Sequence, residues 1–153
     1  MKKICFLLAV ISALQLSAQR VTIDNIPDEV SIAFKAKFSI AEKTSWAIDE
    51  DNYKADFKVS KAIFTATFDK GGKWLMTEKF IKSSDLPKSV REAVTKEFGQ
   101  LSGYTYLDVE KVETEKRVVY EMDIKKGEGN YKVVVSEKGE ILTKEAKEEI
   151  KEG

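Results

Sequence analysis

The side chains that could do chemistry in this chain are carboxylates. The sequence has 153 residues with 26 Asp and Glu, no histidine and one cysteine, Cys5. Without histidine it lacks the commonest general base, and Ser-His-Asp, Cys-His and zinc-binding arrangements are excluded. A pair of carboxylates can still act as acid and base, but lysines and arginines lie beside the acidic residues, as on a solvated surface. The sequence therefore predicts a protein that is not an enzyme and that carries no cofactor.

One acidic cluster has the donor types of a calcium site. Asp49, Glu50, Asp51 and Asn52 follow one another, and Ca²⁺ prefers oxygen ligands. Asp and Asn are also favoured in tight turns, and the cluster has no glycine at the sharp-turn position of an EF-hand loop. We interpret it as a hairpin turn and predict no metal site.

Aromatic residues are candidates for binding. Tyr104 and Tyr106 follow Ser102 and Gly103 in a stretch that has no counterpart in the first half of the chain, and exposed tyrosines on loops are typical anchors for a partner. The alternative interpretation is that they pack on the sheet edge as core. Trp46 and Trp74 continue a strand alternation and are predicted to be core.

The first eighteen residues have the layout of a signal peptide. Lys2 and Lys3 precede an apolar stretch, Ile4–Leu16, and the small residues Ser17 and Ala18 follow. The apolar stretch is too short to cross a bilayer, which takes about 20 residues. We predict cleavage after Ala18 and a periplasmic or secreted mature chain that does not span the membrane; a retained N-terminal anchor is the competing interpretation.

The charges are balanced. The chain has 26 basic and 26 acidic residues, so it lacks the basic surface that nucleic-acid binding requires. No nucleic-acid partner is predicted.

Two pairs of segments resemble each other within the chain. Residues 26–38, IPDEVSIAFKAKF, match residues 86–98, LPKSVREAVTKEF, and residues 53–58, YKADFK, match residues 120–125, YEMDIK. The first pair shares a proline followed by one apolar helical stripe. The second pair alternates apolar and polar residues, as antiparallel strands with one wet face do. The matches indicate an internal duplication.

These patterns predict an α+β fold of two tandem repeats, each a helix packed on a roughly four-stranded antiparallel sheet. The repeats span about 24–80 and 84–145 within one domain, 19–145, and residues 146–153 form a charged tail. Glycines in Asp69-Lys-Gly-Gly and Glu137-Lys-Gly predict hairpin turns. The link between the repeats has no Gly/Pro-rich spacer, so we expect one integrated body.

The doubled pattern Ile/Leu-Pro-x-x-Val-x-x-Ala-Phe/Val-x-x-x-Phe, followed by hairpins, resembles the PepSY-like, β-lactamase-inhibitor-like secreted proteins of Bacteroidetes-type bacteria. The resemblance implies that each helix lies on one sheet face and leaves the other face open. In the inhibitor that gives the family its name, such a face grips a partner enzyme, and PepSY modules are associated with restraining peptidases. This chain lacks the inhibitor's disulfide cysteines and has no segment matching its contact residues.

The predicted open face is partly apolar, which is typical of a partner site; the alternatives are packing against the other repeat and β-propensity alone. Its candidate residues, with the two tyrosines, are Ile63, Thr65, Thr67, Tyr104, Tyr106, Val119, Lys132 and Val134. We predict an exported binding module that contacts another envelope or secreted protein and restrains a peptidase or other enzyme. The alternative is a periplasmic carrier or sensor of a small ligand, either a lipid, a peptide or Ca²⁺.

Overall fold

The computed structural model describes residues 19–100 and 103–147. The predicted signal peptide, 1–18, lies outside the described residues, as do residues 148–153 of the predicted tail. Within the described ranges, neither α-helix combines the length and the apolar character that a bilayer crossing requires.

Nine strands and two α-helices make up the fold. The helices are α1, Asp28–Lys37, and α2, Lys88–Phe98, each preceded by a short 3₁₀ turn. The strands, in chain order, are β1 Gln19–Val21, β2 Glu42–Asp49, β3 Asn52–Val59, β4 Ala62–Asp69, β5 Trp74–Phe80, β6 Thr105–Thr114, β7 Val118–Lys126, β8 Gly129–Ser136 and β9 Ile141–Lys147. All nine form one antiparallel sheet in the order of the chain, β1 to β9.

The predicted fold of two helix-on-sheet repeats, each with its own four-stranded sheet, is wrong. β5 pairs with β6 from Met76–Thr114 to Phe80–Glu110, and this ladder makes a single nine-stranded sheet of all the strands. An unpaired β5 would expose a row of backbone N–H and C=O groups, and pairing with β6 satisfies them. The sequence pattern identified strands and hairpins but not the pairing of β5 with β6.

Both helices are associated with the same face of the sheet, over two separate hydrophobic clusters. The first contains Val30 and Phe34 of α1 with inward residues of β2, β3 and β4. The second contains Val90, Val94 and Phe98 of α2 with inward residues of β6, β7 and β8. Between them, polar residues of β5 and β6 face each other in the pairs Thr77–Glu113 and Lys79–Lys111. The two clusters therefore share a sheet but form separate cores.

The local elements agree with the sequence patterns. Pro27 and Pro87 immediately precede the helices, and their carbonyl oxygens accept hydrogen bonds from the first helical turn. Asp49 and Asn52 are paired across the β2–β3 hairpin, so the acidic cluster forms a turn, as predicted. Trp46 is buried and Trp74 is half-buried against the first cluster, which confirms both as core. β9 reaches Lys147, into the predicted charged tail.

Two hairpin turns touch the helices through glycine. Gly72 and Gly139 have positive φ angles of 80° and 85°. A Cβ atom on Gly72 would lie 2.5 Å from the carbonyl oxygen of Glu29 in α1, and one on Gly139 would lie 2.6 Å from that of Ser89 in α2. Only glycine permits this contact between a hairpin turn and the first turn of a helix.

The Gly139→Ala substitution should therefore destabilise the fold more than the same change at a roomy turn. Gly127 also has a positive φ, 60°, but has no atom within 4 Å of a Cβ position. We expect a loss of about 1 kcal/mol in the free energy of unfolding for Gly127→Ala, from backbone strain, and of about 3 kcal/mol for Gly139→Ala, from strain plus overpacking. Urea unfolding measures both, and equal losses would contradict the close approach of the β8–β9 turn to α2.

Candidate functional site

The sheet has a second face, which no helix covers within the described residues. Thr65 and Thr67 on β4 alternate with Ala66 and Phe68, and these belong to the cluster under α1. Successive side chains of a strand point to opposite faces, so the two threonines lie on the side away from the helices. We call this side the helix-free face.

Strand pairing arranges the helix-free face in transverse rows. One row runs through Asp56, Thr65, Glu78, Val112, Val119 and Ser136. The next row contains Lys58, Ile63, Phe80, Glu110, Glu121, Val134 and Thr143, where Ile63 and Phe80 lie one position beyond the Phe64–Lys79 pair. These two rows define the candidate surface.

The candidate surface has an exposed apolar pair. Ile63 is 47% exposed and Phe80 is 50% exposed, and they occupy adjoining positions on β4 and β5. Beside them in the other row, Val112 and Val119 are buried although they lie on the helix-free face. The middle of the surface is thus buried, whereas Ile63 and Phe80 are open to water.

Carboxylates crowd the centre of the surface next to Phe80. Glu110 is opposite Phe80 on one side and Glu121 on the other. Partial burial, reinforced by the negative charges of Glu78, Asp108 and Glu121, raises the pKa of Glu110 to about 7. Burial also raises the pKa of Glu78, against the opposing effect of Lys54. The surface thus has carboxylates that are costly to ionise in the free protein.

One lysine partly compensates these carboxylates. Lys132 Nζ lies 3.1 Å from a carboxylate oxygen of Glu121. Burial alone would lower the pKa of Lys132, but the attraction and hydrogen bond of Glu121 outweigh it and raise that pKa. Lys54 also attracts Glu78, yet the pKa of Glu110 stays raised because burial and the neighbouring carboxylates outweigh the attraction of Lys132.

The two threonines of β4 differ in their hydrogen bonding. Thr65 Oγ1 donates to a carboxylate oxygen of Asp56 at 2.7 Å. Thr67 is only 2% exposed, and its hydroxyl has no hydrogen-bond partner among the described residues. A buried hydroxyl without a partner costs stability, so Thr67 is an energetic weak point of the helix-free face.

Six of the eight residues predicted for the site lie on the helix-free face. Ile63, Thr65, Val119 and Val134 fall in the two rows of the candidate surface. Thr67 and Lys132 lie in the flanking rows, opposite Lys54 and Asp123. Val119 and Thr67 are buried, so they support the surface and offer a partner little contact area.

The remaining two, Tyr104 and Tyr106, lie on the helix side. Tyr104 is buried in the second cluster, with its ring centre 6.0 Å from that of Phe98 and its hydroxyl 3.3 Å from Thr95 Oγ1. Tyr106 packs edge-on against Tyr104 at 5.4 Å, and burial raises the pKa of its hydroxyl. Both agree with the interpretation of these tyrosines as core, and neither is part of the candidate surface.

Sequence reasoning missed the residues with the most distinctive environment on this surface: Glu78, Phe80 and Glu110. Phe80, the last residue of the first predicted repeat, ends β5. The alternation of Met76, Glu78 and Phe80 was a signal for one strand face, but it did not show that β5 pairs with β6. That pairing places Glu110 beside Phe80.

A comparison with protein families assigns the fold. Residues 51–143 match the model of the family described as "Putative beta-lactamase-inhibitor-like, PepSY-like". The chain belongs to this family. The matched range covers β3 to β9 almost completely, including both rows of the candidate surface. A comparison with curated proteins gives no match.

Solved structures with the same fold come from Bacteroides species. A DUF2874 family protein from Bacteroides uniformis is 22% identical, with a TM-score of 0.72 over 78% of this chain and 88% of that chain. A protein from Bacteroides eggerthii described as periplasmic is 22% identical, with a TM-score of 0.71 over 78% and 88%. A BLIP-like protein from Bacteroides fragilis is 23% identical, with a TM-score of 0.69 over 78% and 86%. At these identities the likeness establishes the fold alone.

The Thr67→Val substitution should stabilise the protein, while Thr65→Val should destabilise it. Valine has nearly the shape of threonine, so Thr67→Val removes an unpartnered buried hydroxyl, and we expect a gain of about 1 kcal/mol. Thr65→Val removes a donor from the Asp56 carboxylate, and we expect a loss of about 1 kcal/mol. Thermal unfolding of the two variants checks the difference in sign, and destabilisation by both would mean that the Thr67 hydroxyl has a partner.

The Glu110→Gln substitution should change how stability depends on pH. The pKa of Glu110 is about 7 in the folded chain and 4.5 in the reference state. The contribution of Glu110 to the free energy of unfolding is therefore fully present below pH 4.5 and is lost as the pH rises through 7. We expect Glu110→Gln to stabilise the protein at pH 8 by about 1 kcal/mol more than at pH 5, after allowance for solvent screening. Urea unfolding at the two pH values measures this difference.

A carboxyl ¹³C NMR titration tests the same cause directly. The titration midpoint of Glu110 should fall in the Glu78→Gln variant, because one of the negative charges that raise its pKa is removed. A Glu110 midpoint near 4.5 in the unsubstituted chain would contradict the assigned environment.

Proposed function

We propose that this chain is an exported, non-catalytic binding module whose helix-free face docks another envelope protein and restrains it, as a peptidase or other enzyme would be restrained by an inhibitor. The observation that carries the proposal is the adjacency of exposed Ile63 and Phe80 to the acidic centre of an uncovered sheet face. Contiguous exposed apolar side chains with a polar border are typical of protein interaction sites.

The apolar pair would provide the anchor of the interface. Binding energy in protein interfaces is concentrated in a few residues that become fully buried, and aromatic residues are prominent among them. Phe80 stands at the edge of the acidic centre with half of its surface exposed. A partner that covers Phe80 and Ile63 also excludes water from Glu110.

The carboxylates define the chemistry of the partner. Glu78, Glu110 and Glu121 lie near the ammonium groups of Lys54 and Lys132, but burial and the negative charges around Glu110 outweigh the attraction of Lys132. A partner that places an arginine or lysine against Glu110 would compensate the charge that the free protein stabilises poorly. We therefore propose a partner surface with a cationic side chain beside an apolar pocket.

Export is part of the proposal. Residues 1–18 have the charge and apolar pattern of a signal peptide, and the similar structure from Bacteroides eggerthii is described as that of a periplasmic protein. The absence of histidine and of cysteine beyond Cys5 supports a role without catalysis, because the commonest general base is missing and no thiolate nucleophile is left after cleavage. Restraint of an enzyme is consistent with the description of the family.

Site-specific photo-crosslinking in the native host tests the proposal. A benzoylphenylalanine at position 80 should form a defined crosslink to one envelope protein, and mass spectrometry identifies it. The Ile63→Asp substitution should abolish the crosslink, because loss of an anchor weakens binding at least tenfold. The activity of the identified partner, measured with and without the protein, tests restraint.

The matched control is on the helix side of the sheet. Ile32 on α1 is also exposed, at 66%, so Ile32→Asp introduces the same charge at a similar isoleucine and should leave the crosslink intact. An equal loss of the crosslink in the Ile32→Asp variant would overturn the proposed use of the helix-free face. The same conclusion would follow if position 80 formed no crosslink although the intact mass showed that the chain is exported and cleaved after Ala18.

A further inference from the structure

The last strand of the sheet has a neighbour on one side only. β9, Ile141–Lys147, pairs with β8, and within residues 19–100 and 103–147 no strand lies on its other side. The outer backbone N–H and C=O groups of such a strand are a template for pairing with another chain. The opposite edge offers less, because β1, Gln19–Val21, has three residues whereas β9 has seven.

The outer part of β9 has the regularity that strand addition requires. From Thr143 to Lys147 the pairs with β8 follow one another without interruption, and the register shift of this ladder lies before Thr143. At the opposite edge of the sheet, β2 has a register shift between Glu42 and Ser45 and a positive φ of 53° at Lys43. Such irregularities end strand pairing, so β9 is the edge that a further strand can follow.

The two lysines of β9 do not project across its open side. Lysines on an edge strand are one of the features that prevent strand addition in monomeric proteins. Here, Lys144 Nζ lies 2.6 Å from a carboxylate oxygen of Glu97 in α2, and Lys147 Nζ lies 2.5 Å from one of Asp123 in β7. Both ammonium groups are therefore turned back over elements of their own chain and leave the outer backbone of β9 open.

The sequence around Ala146 is complementary to itself when two copies run antiparallel. Glu145 precedes Ala146 and Lys147 follows it, and these two side chains lie on the same face because they are two residues apart. With Ala146 opposite Ala146, each Glu145 is opposite a Lys147, and such cross-strand pairs of opposite charge stabilise a sheet. Pairing centred on Lys144 would instead place two like charges opposite each other.

The same register also matches residues farther from its centre. Glu148 and Ile150 follow β9 in the sequence and lie outside the described residues. With the centre at position 146, Lys144 of one copy is opposite Glu148 of the other, and Leu142 is opposite Ile150. Charge and apolar character are thus complementary along a ladder that runs from 142 to 150 in each copy.

We propose that two copies of this chain pair along β9, antiparallel and with Ala146 at a two-fold axis, and so form one continuous sheet. The symmetry makes each contact between Glu145 and Lys147 occur twice. Because the axis is perpendicular to the sheet, the helix-free faces of both copies lie on the same side. The inference is independent of the proposed docking, since Ile63 and Phe80 lie on β4 and β5, away from this edge.

Disulfide formation at the two-fold axis tests the register. In a Cys5→Ser background, Ala146→Cys provides the only thiol of the chain. Opposite residues of an antiparallel pair have Cα atoms about 4.5–5.5 Å apart, which is within the span of a disulfide. We expect the exported Ala146→Cys variant to form a disulfide-linked dimer under mild oxidation, measured by electrophoresis without reductant.

The matched control lies on the same strand. In the proposed register the two copies of Thr143 are about 20 Å apart, so Thr143→Cys in the same background should form at least tenfold less disulfide-linked dimer than Ala146→Cys. Equal yields from the two positions, or no dimer from Ala146→Cys, would overturn the proposed pairing.

Charge reversal tests the contact between Glu145 and Lys147. Glu145→Lys and Lys147→Glu should each weaken self-association about tenfold, because both symmetric pairs then join like charges. An equimolar mixture of the two variants should regain the affinity, since opposite charges face each other again at both positions. Sedimentation equilibrium of the exported chains measures all three cases.

A charge reversal far from the edge is the control for net charge. Lys70 is exposed in the β4–β5 turn, and Lys70→Glu should leave self-association unchanged. An unsubstituted chain that remains a monomer at every concentration would overturn the proposal. A mixture of Glu145→Lys and Lys147→Glu that associates no better than either variant alone would do the same.

Discussion

The antiparallel ladder between β5 and β6 is the constraint on which the rest of the structure depends. It joins Met76–Phe80 to Glu110–Thr114 and turns nine strands into one sheet. Because both helices pack on the same side of that sheet, the ladder also leaves one large face that no helix of residues 19–100 and 103–147 covers. Neither row of the candidate surface would cross the molecule without it, since each row passes from β5 to β6.

The two sides of this ladder have opposite characters. On the helix side, Thr77, Lys79, Lys111 and Glu113 form a polar strip that separates the hydrophobic clusters. On the helix-free side the same strands bring Phe80 beside carboxylates and bury Val112. Successive side chains of a strand point to opposite faces of the sheet. When every second residue of β5 and β6 is polar and lies on the helix side, the residues between them lie on the helix-free side. The apolar residues of the helix-free side have no core to enter.

The helix side of the sheet contains the clusters that stabilise the fold, and the helix-free face contains the proposed binding surface. The aromatic and aliphatic clusters under α1 and α2 bury most of the apolar residues that hold the fold. That face contains features that a stability argument alone would not favour: exposed Phe80, an unpartnered Thr67 hydroxyl and carboxylates with raised pKa values. Local departures from the most stable arrangement are typical of functional surfaces.

The sequence by itself determined the local elements: helices after Pro27 and Pro87, alternating strands, the glycine turns and six of the eight site residues on one strand face. These follow from backbone preferences and side-chain periodicity, which act over a few neighbouring residues. Only the tertiary structure decided that the strands form one sheet and that Glu110 lies against Phe80. The β5–β6 ladder joins strand edges that are about 30 residues apart in the chain, and side-chain periodicity does not specify which edges will pair.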